Sequence, residues 1–247
     1  MRAAVIAACI FVLVANIAYT EIEQDTALQY DFYFARLEYP GIRNDSYIKN
    51  WYTDYPEADQ HIDILLNRLT SIYTGHSKVQ ITDGIFRYPF IYIVEPAQMN
   101  ATDTEILLLR EYLDRGGFLL LDDIHGDEDR IPVDILLNRI LPNRYFYEID
   151  ISHEIFHTVY DIDELIQVVN DGLASCEICD QWENGPTGVV PQVFGHYDLD
   201  GYINVLVMHN NDIGDAAEWL DDQNYPREMS VFAVKFLVNV AIYSLSH

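Results

Sequence analysis

Between residues 90 and 121 the chain reads Phe-Ile-Tyr-Ile-Val, then Thr102-Asp103-Thr104-Glu105 ahead of a periodic apolar stretch, then Gly116-Gly117, then Phe-Leu-Leu-Leu. No other segment constrains the fold as much. An apolar run of this length suits a strand buried on both faces. Thr102 and Glu105 have capping-box spacing, Ile106, Leu109 and Leu113 recur at helical steps, and the paired glycines stop the helix. Strands joined by such a helix run parallel, because a parallel pair needs a long crossover. The segment predicts a βαβ unit and an α/β chain.

The remaining pattern agrees. Residues 32–39 form an aromatic-rich strand closed by Pro40-Gly41. From Glu57 the residues Ala58, Ile62, Leu65, Leu66, Leu69, Ile72 and Tyr73 mark one helical face, with Pro56 at its start and Gly75 at its stop. Residues 132–141 predict a helix, 144–149 a strand and 203–208 a buried strand. Residues 150–200 carry little periodic signal. The apolar stretch 227–245 predicts a helix, and Lys235 and Asn239 at its middle favour packing on a sheet over a membrane span. No linker or internal repeat divides the chain, so residues 21–247 are expected to form a single domain.

Charge narrows the partners. The chain carries 40 acidic and 14 basic residues, a formal charge of −26. Nucleic-acid backbones are held by clustered cations, and no such cluster occurs here, so nucleic acid is excluded as a general partner and an anionic membrane surface is disfavoured. With 50% hydrophobic and 13% aromatic residues the chain buries a core rather than remaining an acidic coil. Arg2 precedes an apolar run from Ala3 to Ala18, and small residues at Ala18 and Thr20 suit peptidase cleavage before Glu21. Residues 1–20 therefore read as a signal peptide, with an uncleaved anchor as the alternative, and the product as periplasmic or secreted, free of the membrane once cleaved. Cys9 follows too few residues to be a lipoprotein cysteine. Cys176 and Cys179 could be a disulfide, half a zinc site or a redox pair. Their place in loop-like sequence favours a loop-stiffening disulfide or free thiols.

In parallel α/β sheets ligands collect beyond the C-terminal strand ends. After residues 118–121 comes Asp122-Asp123-Ile124-His125-Gly126, and after 203–208 comes His209-Asn210-Asn211-Asp212-Ile213-Gly214-Asp215. Carboxylates beside histidines on neighbouring strands would supply a ligand pocket, a divalent-metal site or an acid/base pair from Asp122, Asp123, His125, His209, Asn210, Asp212 and Asp215. The competing reading is architectural: aspartates after strands cap helices, and Asp215-Ala216-Ala217-Glu218 has capping-box spacing. Gly-x-Ser-x-Gly, Gly-x-x-x-x-Gly-Lys and Gly-x-Gly-x-x-Gly are missing from the sequence, and His153-Glu154-Ile155-Phe156-His157, which has His-Glu-x-x-His spacing, falls in a stretch without the helical periodicity that such a motif needs. Ser152-His153-Glu154 with His157 is a weak local grouping. Trp51-Tyr52-Thr53-Asp54-Tyr55 reads as an aromatic cover for the sheet end, with a sugar platform as the alternative.

The ordered segments Phe34-Ala35-Arg36-Leu37-Glu38-Tyr39, Trp51 to Asp59, Tyr88-Pro89-Phe90, Arg110 to Gly126 and His209 to Trp219, with Val238-Asn239, resemble the bacterial domain-of-unknown-function family 4159. The resemblance runs from about Tyr30 to the C-terminus. It implies a class I glutamine-amidotransferase-like, flavodoxin-like fold, a three-layer α/β/α sandwich around a mainly parallel sheet. It implies no established activity. Amidotransferases place a cysteine on a strand-to-helix elbow, whereas the strand ending at Leu121 gives Asp122-Asp123, so no catalytic residue carries over. The Cys176 and Cys179 insertion lies outside the motifs that carry the resemblance.

Two functional classes follow: an exported, non-amidotransferase domain of the bacterial cell envelope that binds a small ligand or an envelope protein, and a metal-assisted hydrolase-like enzyme built on the Asp/His cluster. The exported protein is expected to begin close to Glu21, with cleavage near residues 18–22. N-terminal sequencing of material from periplasm or medium checks this, and an intact Met1 in a membrane fraction contradicts it.

Overall fold

The computed structural model describes residues 29–42, 50–176 and 178–247, so the expected leader, residues 1–20, lies outside the described residues. In chain order the elements are β1 (Phe32–Glu38), α1 (Glu57–Leu69), β2 (Thr74–Gln80), β3 (Phe90–Val94), α2 (Asp103–Asp114), β4 (Phe118–Ile124) and α3 (Gly126–Ile140). There follow β5 (Tyr147–Glu148), α4 (Asp171–Ala174), β6 (Gln192–Tyr197), β7 (Ile203–His209), α5 (Ile213–Glu218) and α6 (Arg227–Ser246). The strands form one seven-stranded sheet in the order β2-β1-β3-β4-β7-β6-β5. β2, β1, β3, β4 and β7 are mutually parallel, and β6 is antiparallel to both β7 and β5.

Alternation along the central strands sends apolar side chains both ways. Phe34, Tyr92, Leu120 and Met208 pack with Ala58 and Ile62 of α1, Ala216 of α5 and Phe232 and Phe236 of α6. Leu37, Ile93, Leu121 and Val207 face Leu109 and Leu113 of α2 and Val133 and Leu137 of α3. The protein is thus a mixed α/β fold with helices on both faces of a mostly parallel sheet. The Thr102 box closes as its spacing predicts, with Glu105 N–H donating to Thr102 Oγ1 at 3.3 Å and Thr102 N–H donating to Glu105 Oε2 at 2.7 Å.

Several boundaries differ from expectation, each for a physical reason. α1 stops at Leu69, and the polar segment Thr74–Gln80 is a strand. It sits at the sheet edge, where among the described residues one side faces no other strand and polar residues are tolerated. α3 starts at Gly126, ahead of Pro132, because an acidic first turn of Asp127, Glu128 and Asp129 suits a helix N-terminus; Pro132 then forfeits a single intrahelical bond. Of residues 144–149 only Tyr147 and Glu148 pair, at the other edge. β6 emerges from the segment without periodic signal. β4 runs on to Ile124, so Asp122 and Asp123 belong to a strand, not to the loop beyond it.

α6 is long and apolar enough to cross a bilayer. In the fold it lies on the sheet, with Phe232, Phe236, Val240 and Tyr243 buried. Fully buried Asn239 is satisfied within the protein: its Oδ1 accepts from the N–H groups of Val159 and Tyr160 at 2.9 and 2.8 Å, and its Nδ2 donates to Tyr160 O at 2.8 Å. That bonding explains a polar residue inside an apolar helix.

Truncating the central strand should dominate over loss of a cap. Leu120→Ala is expected to cost about 2–5 kcal/mol and Thr102→Ala about 1 kcal/mol, measured by urea denaturation. Equal losses would contradict this account of the core.

Candidate functional site

The site begins with a charge buried in a strand. Arg36 lies on the same face of β1 as Phe32 and Phe34 and is 0% exposed. Such a cation needs an anion and hydrogen-bond acceptors in place before the fold can close. Asp59, in the first turn of α1, provides the anion: Arg36 Nε donates to its Oδ2 at 2.8 Å and Nη2 lies 2.6 Å from the same oxygen. The turn before α1 supplies the acceptors, with Arg36 Nη1 donating to Thr53 O at 2.8 Å and Trp51 O at 3.2 Å. The guanidinium also lies 4.9 Å from the Tyr92 ring centroid. The 51–55 segment, read as an aromatic cover, therefore meets Arg36 with its backbone carbonyls.

That arrangement carries Asp54 to the C-terminal edge of the sheet. Asp54 has φ 62° and is buried. From β4, Asp122 Oδ2 accepts from Tyr92 OH at 2.8 Å and from Gly214 N–H at 2.9 Å. Asp123, at φ 59°, sits where the β4–β7 register shifts. The bulge and the left-handed residue redirect the carboxylate toward His125, whose Nε2 lies 3.1 Å from Asp123 Oδ1. From the β7 side, Asp212 caps α5 by accepting from Asp215 N–H at 2.9 Å. The capping residue is thus Asp212 and not Asp215. Gly214 must lack a side chain: a Cβ there would run into Asp54 Oδ2 and lie 2.7 Å from Tyr92 OH.

Among the sequence-predicted residues, Asp122, Asp123, His125, Asp212 and Asp215 converge. Asp123, His125 and Asp212 offer ligand atoms that all lie within 4.8 Å of one another, and all three residues are buried. His209 is at the same sheet edge, paired in register with Ile124, but shares the α3-facing side of β7 with Val205 and Val207. Its Nε2 lies 3.4 Å from Gly126 O. Asn210 is a brace: Oδ1 accepts from Gly126 N–H at 2.8 Å, and Nδ2 donates to Thr187 O and Val190 O at 3.0 and 2.7 Å. His153 caps a short turn by accepting from Ile155 N–H at 3.2 Å, and His157 contacts Asp161 at 3.0 Å. The Ser152 grouping is local structure. Cys176 and Cys179 are joined as a disulfide.

The electrostatics follow from burial. Burial, then the charge of Asp123, raises the carboxyl of Asp54 well above the usual range. The same causes, with Asp54 added, raise Asp212. Burial and neighbouring Glu218 push Asp215 up to about 7. Burial raises Asp122 to about 6, with the Tyr92 hydrogen bond opposing it and Asp123 adding to it. Burial lowers His209, which favours its neutral form. Mutual repulsion of this kind is relieved by protons or by a bound cation.

Sequence reasoning passed over Arg36, Asp54, Asp59 and Gly214 as site components. For Arg36 a signal existed: strand alternation from Phe32 and Phe34 puts it on a buried face. For Asp54 none did, since its turn is placed by Arg36.

The model of the family described as Domain of unknown function (DUF4159) matches residues 33–245, so the chain belongs to that family. No curated protein matches it.

Asp122 allows a test of these electrostatics. Its carboxyl rises from the ordinary value to about 6 on folding, so the folded state holds more protons than the unfolded state between about pH 4 and 6. Its contribution to stability is therefore present at low pH and lost as pH rises through that window. In chelator-treated protein, Asp122→Asn should gain stability relative to wild type between pH 4.5 and 7.5, measured by urea denaturation. A difference independent of pH would refute the assignment.

Proposed function

We propose that this member of the DUF4159 family is an exported, non-enzymatic binding domain whose strand-end cluster holds a divalent transition-metal ion through Asp123, His125 and Asp212. The observation that carries the reading is the convergence of those three ligand atoms within 4.8 Å, at residues 1%, 0% and 3% exposed. Two carboxylate oxygens with one imidazole nitrogen suit Zn2+ or Mn2+ better than Ca2+ or Mg2+, which prefer oxygen alone. The strain of placing Asp123 at φ 59° fits a residue held for its side chain.

Enclosure favours binding over hydrolysis. A catalytic metal keeps a coordination position open to substrate, whereas these three residues are withdrawn from solvent. An ion there would tie β4 to α5 and so fasten the loops that leave the sheet. The strand order β2-β1-β3-β4 followed by β7 supports a flavodoxin-like sandwich extended by antiparallel β6 and β5. The apolar N-terminal run and the Cys176–Cys179 disulfide support export to an oxidising compartment.

Calorimetric titration of Zn2+ into chelator-treated protein tests the reading. At a hundredfold excess over Kd, Zn2+ should stabilise the fold by about 2.7 kcal/mol, or roughly 5–10 °C in Tm for a domain of this size. Asp123→Asn should remove both the binding and the shift. An identical Zn2+ response in Asp123→Asn and wild type would sink the proposal.

A further inference from the structure

Next to the inner trio stands a second group that its ion would not engage. Asp54, from the turn before α1, joins Asp215 and Glu218 of α5, each offering a carboxylate oxygen within 4.8 Å of the others. Clustered acids alone mean little in so acidic a chain. The orientation and burial of particular oxygens mean more. Asp54 Oδ2 and Asp215 Oδ2 find no hydrogen-bond partner among the described residues, although each residue is only 7% exposed. Asp54 Oδ2 is aimed at the first turn of α5, in the space that Gly214 leaves by lacking a Cβ. A carboxylate withdrawn from water without donors is costly, and facing carboxylates raise that cost.

The protein's own cation does not answer them. Arg36 acts on both Asp54 and Glu218. Its guanidinium is already engaged by Asp59 and by the carbonyls of Trp51 and Thr53. Further negative charge reaches Glu218 from Glu57 and Asp171. The result is an acidic track leading inward from partly exposed Glu218 to buried Asp215 and Asp54.

We infer that Asp54, Asp215 and Glu218 form a second cation site, selective for a hard, oxygen-seeking divalent ion of the Ca2+ class. The donor set decides the class, because all three ligands are carboxylates and none is nitrogen or sulfur. The partial exposure of Glu218 leaves room for the water ligands that complete a Ca2+ shell. Asp54 contributes to the field on Asp212, and Asp123 to the field on Asp54, so the outer ion lies beside the inner one and within its electrostatic reach. The outer site does not depend on the inner reading, since the two share no ligand.

The test is Ca2+ titration by calorimetry into the mature, chelator-treated protein, with and without saturating Zn2+, with Trp219 fluorescence as a second readout beside Glu218. One Ca2+ should bind in either condition. Glu218→Gln and Asp215→Asn should each weaken it by at least about tenfold, the size of effect that even outer-shell losses reach. Asp123→Asn should lose Zn2+ and keep Ca2+. Far-UV circular dichroism establishes that each variant is folded; Glu218, being partly exposed, gives the safer substitution. Ca2+ binding sensitive to Glu218→Gln in a protein that takes no Zn2+ would support the outer site while overturning the inner one. Failure to bind Ca2+, Ca2+ affinity unchanged in folded Glu218→Gln and Asp215→Asn, or loss of Ca2+ in Asp123→Asn alone would overturn the inference.

Discussion

The Arg36–Asp59 ion pair is the contact on which the site's geometry rests. Neither residue is exposed, and each would be untenable in the core without the other. Because Arg36 belongs to β1 and Asp59 to the first turn of α1, the pair fixes how the first crossover helix meets the sheet. The spare donors of the guanidinium reach Trp51 and Thr53, so the turn before α1 is set in the same step. Asp54 follows from that turn, and with it the approach of α5, which depends on Gly214 having no side chain. Removing one partner would leave a buried charge unanswered, which costs more than the pair is worth as a contact.

Parallel topology then concentrates charge. β1, β3, β4 and β7 release their C-terminal ends at one edge, and the chain places acids after or within the last turns of β4 and β7. Asp122 is partly answered by Tyr92 and the Gly214 N–H, and Asp212 by its capping bond. Architecture therefore absorbs part of the cluster. Asp123, His125 and Asp212 still converge within 4.8 Å of one another, and Asp54 Oδ2 and Asp215 Oδ2 find no hydrogen-bond partner among the described residues. An inner ion bound through nitrogen and oxygen and an outer ion bound through oxygen alone would supply the charge that the chain lacks.

How much of this was legible in the sequence differed by element. β3, α2 and β4 were readable because continuous apolar runs and a capping box act locally. β2 and β6 were not, since their edge or near-edge positions impose no continuous apolar pattern. At the site, the loops after β4 and β7 were visible from topology, but their division was not. The face taken by His209 depends on strand phase, and the role of Asn210 depends on Gly126, which is distant in sequence. Asp54 lay beyond reach for a different reason: nothing local marks a turn whose conformation is dictated by an arginine in another element.

The most direct measurement is X-ray diffraction at the zinc absorption edge from crystals of the mature protein grown with Zn2+. The account predicts an anomalous peak bounded by Asp123, His125 and Asp212, with ligand distances of about 2.0–2.2 Å. Zinc found only at surface histidines, with the Asp123 and Asp212 carboxylates closed onto protein donors, would contradict it.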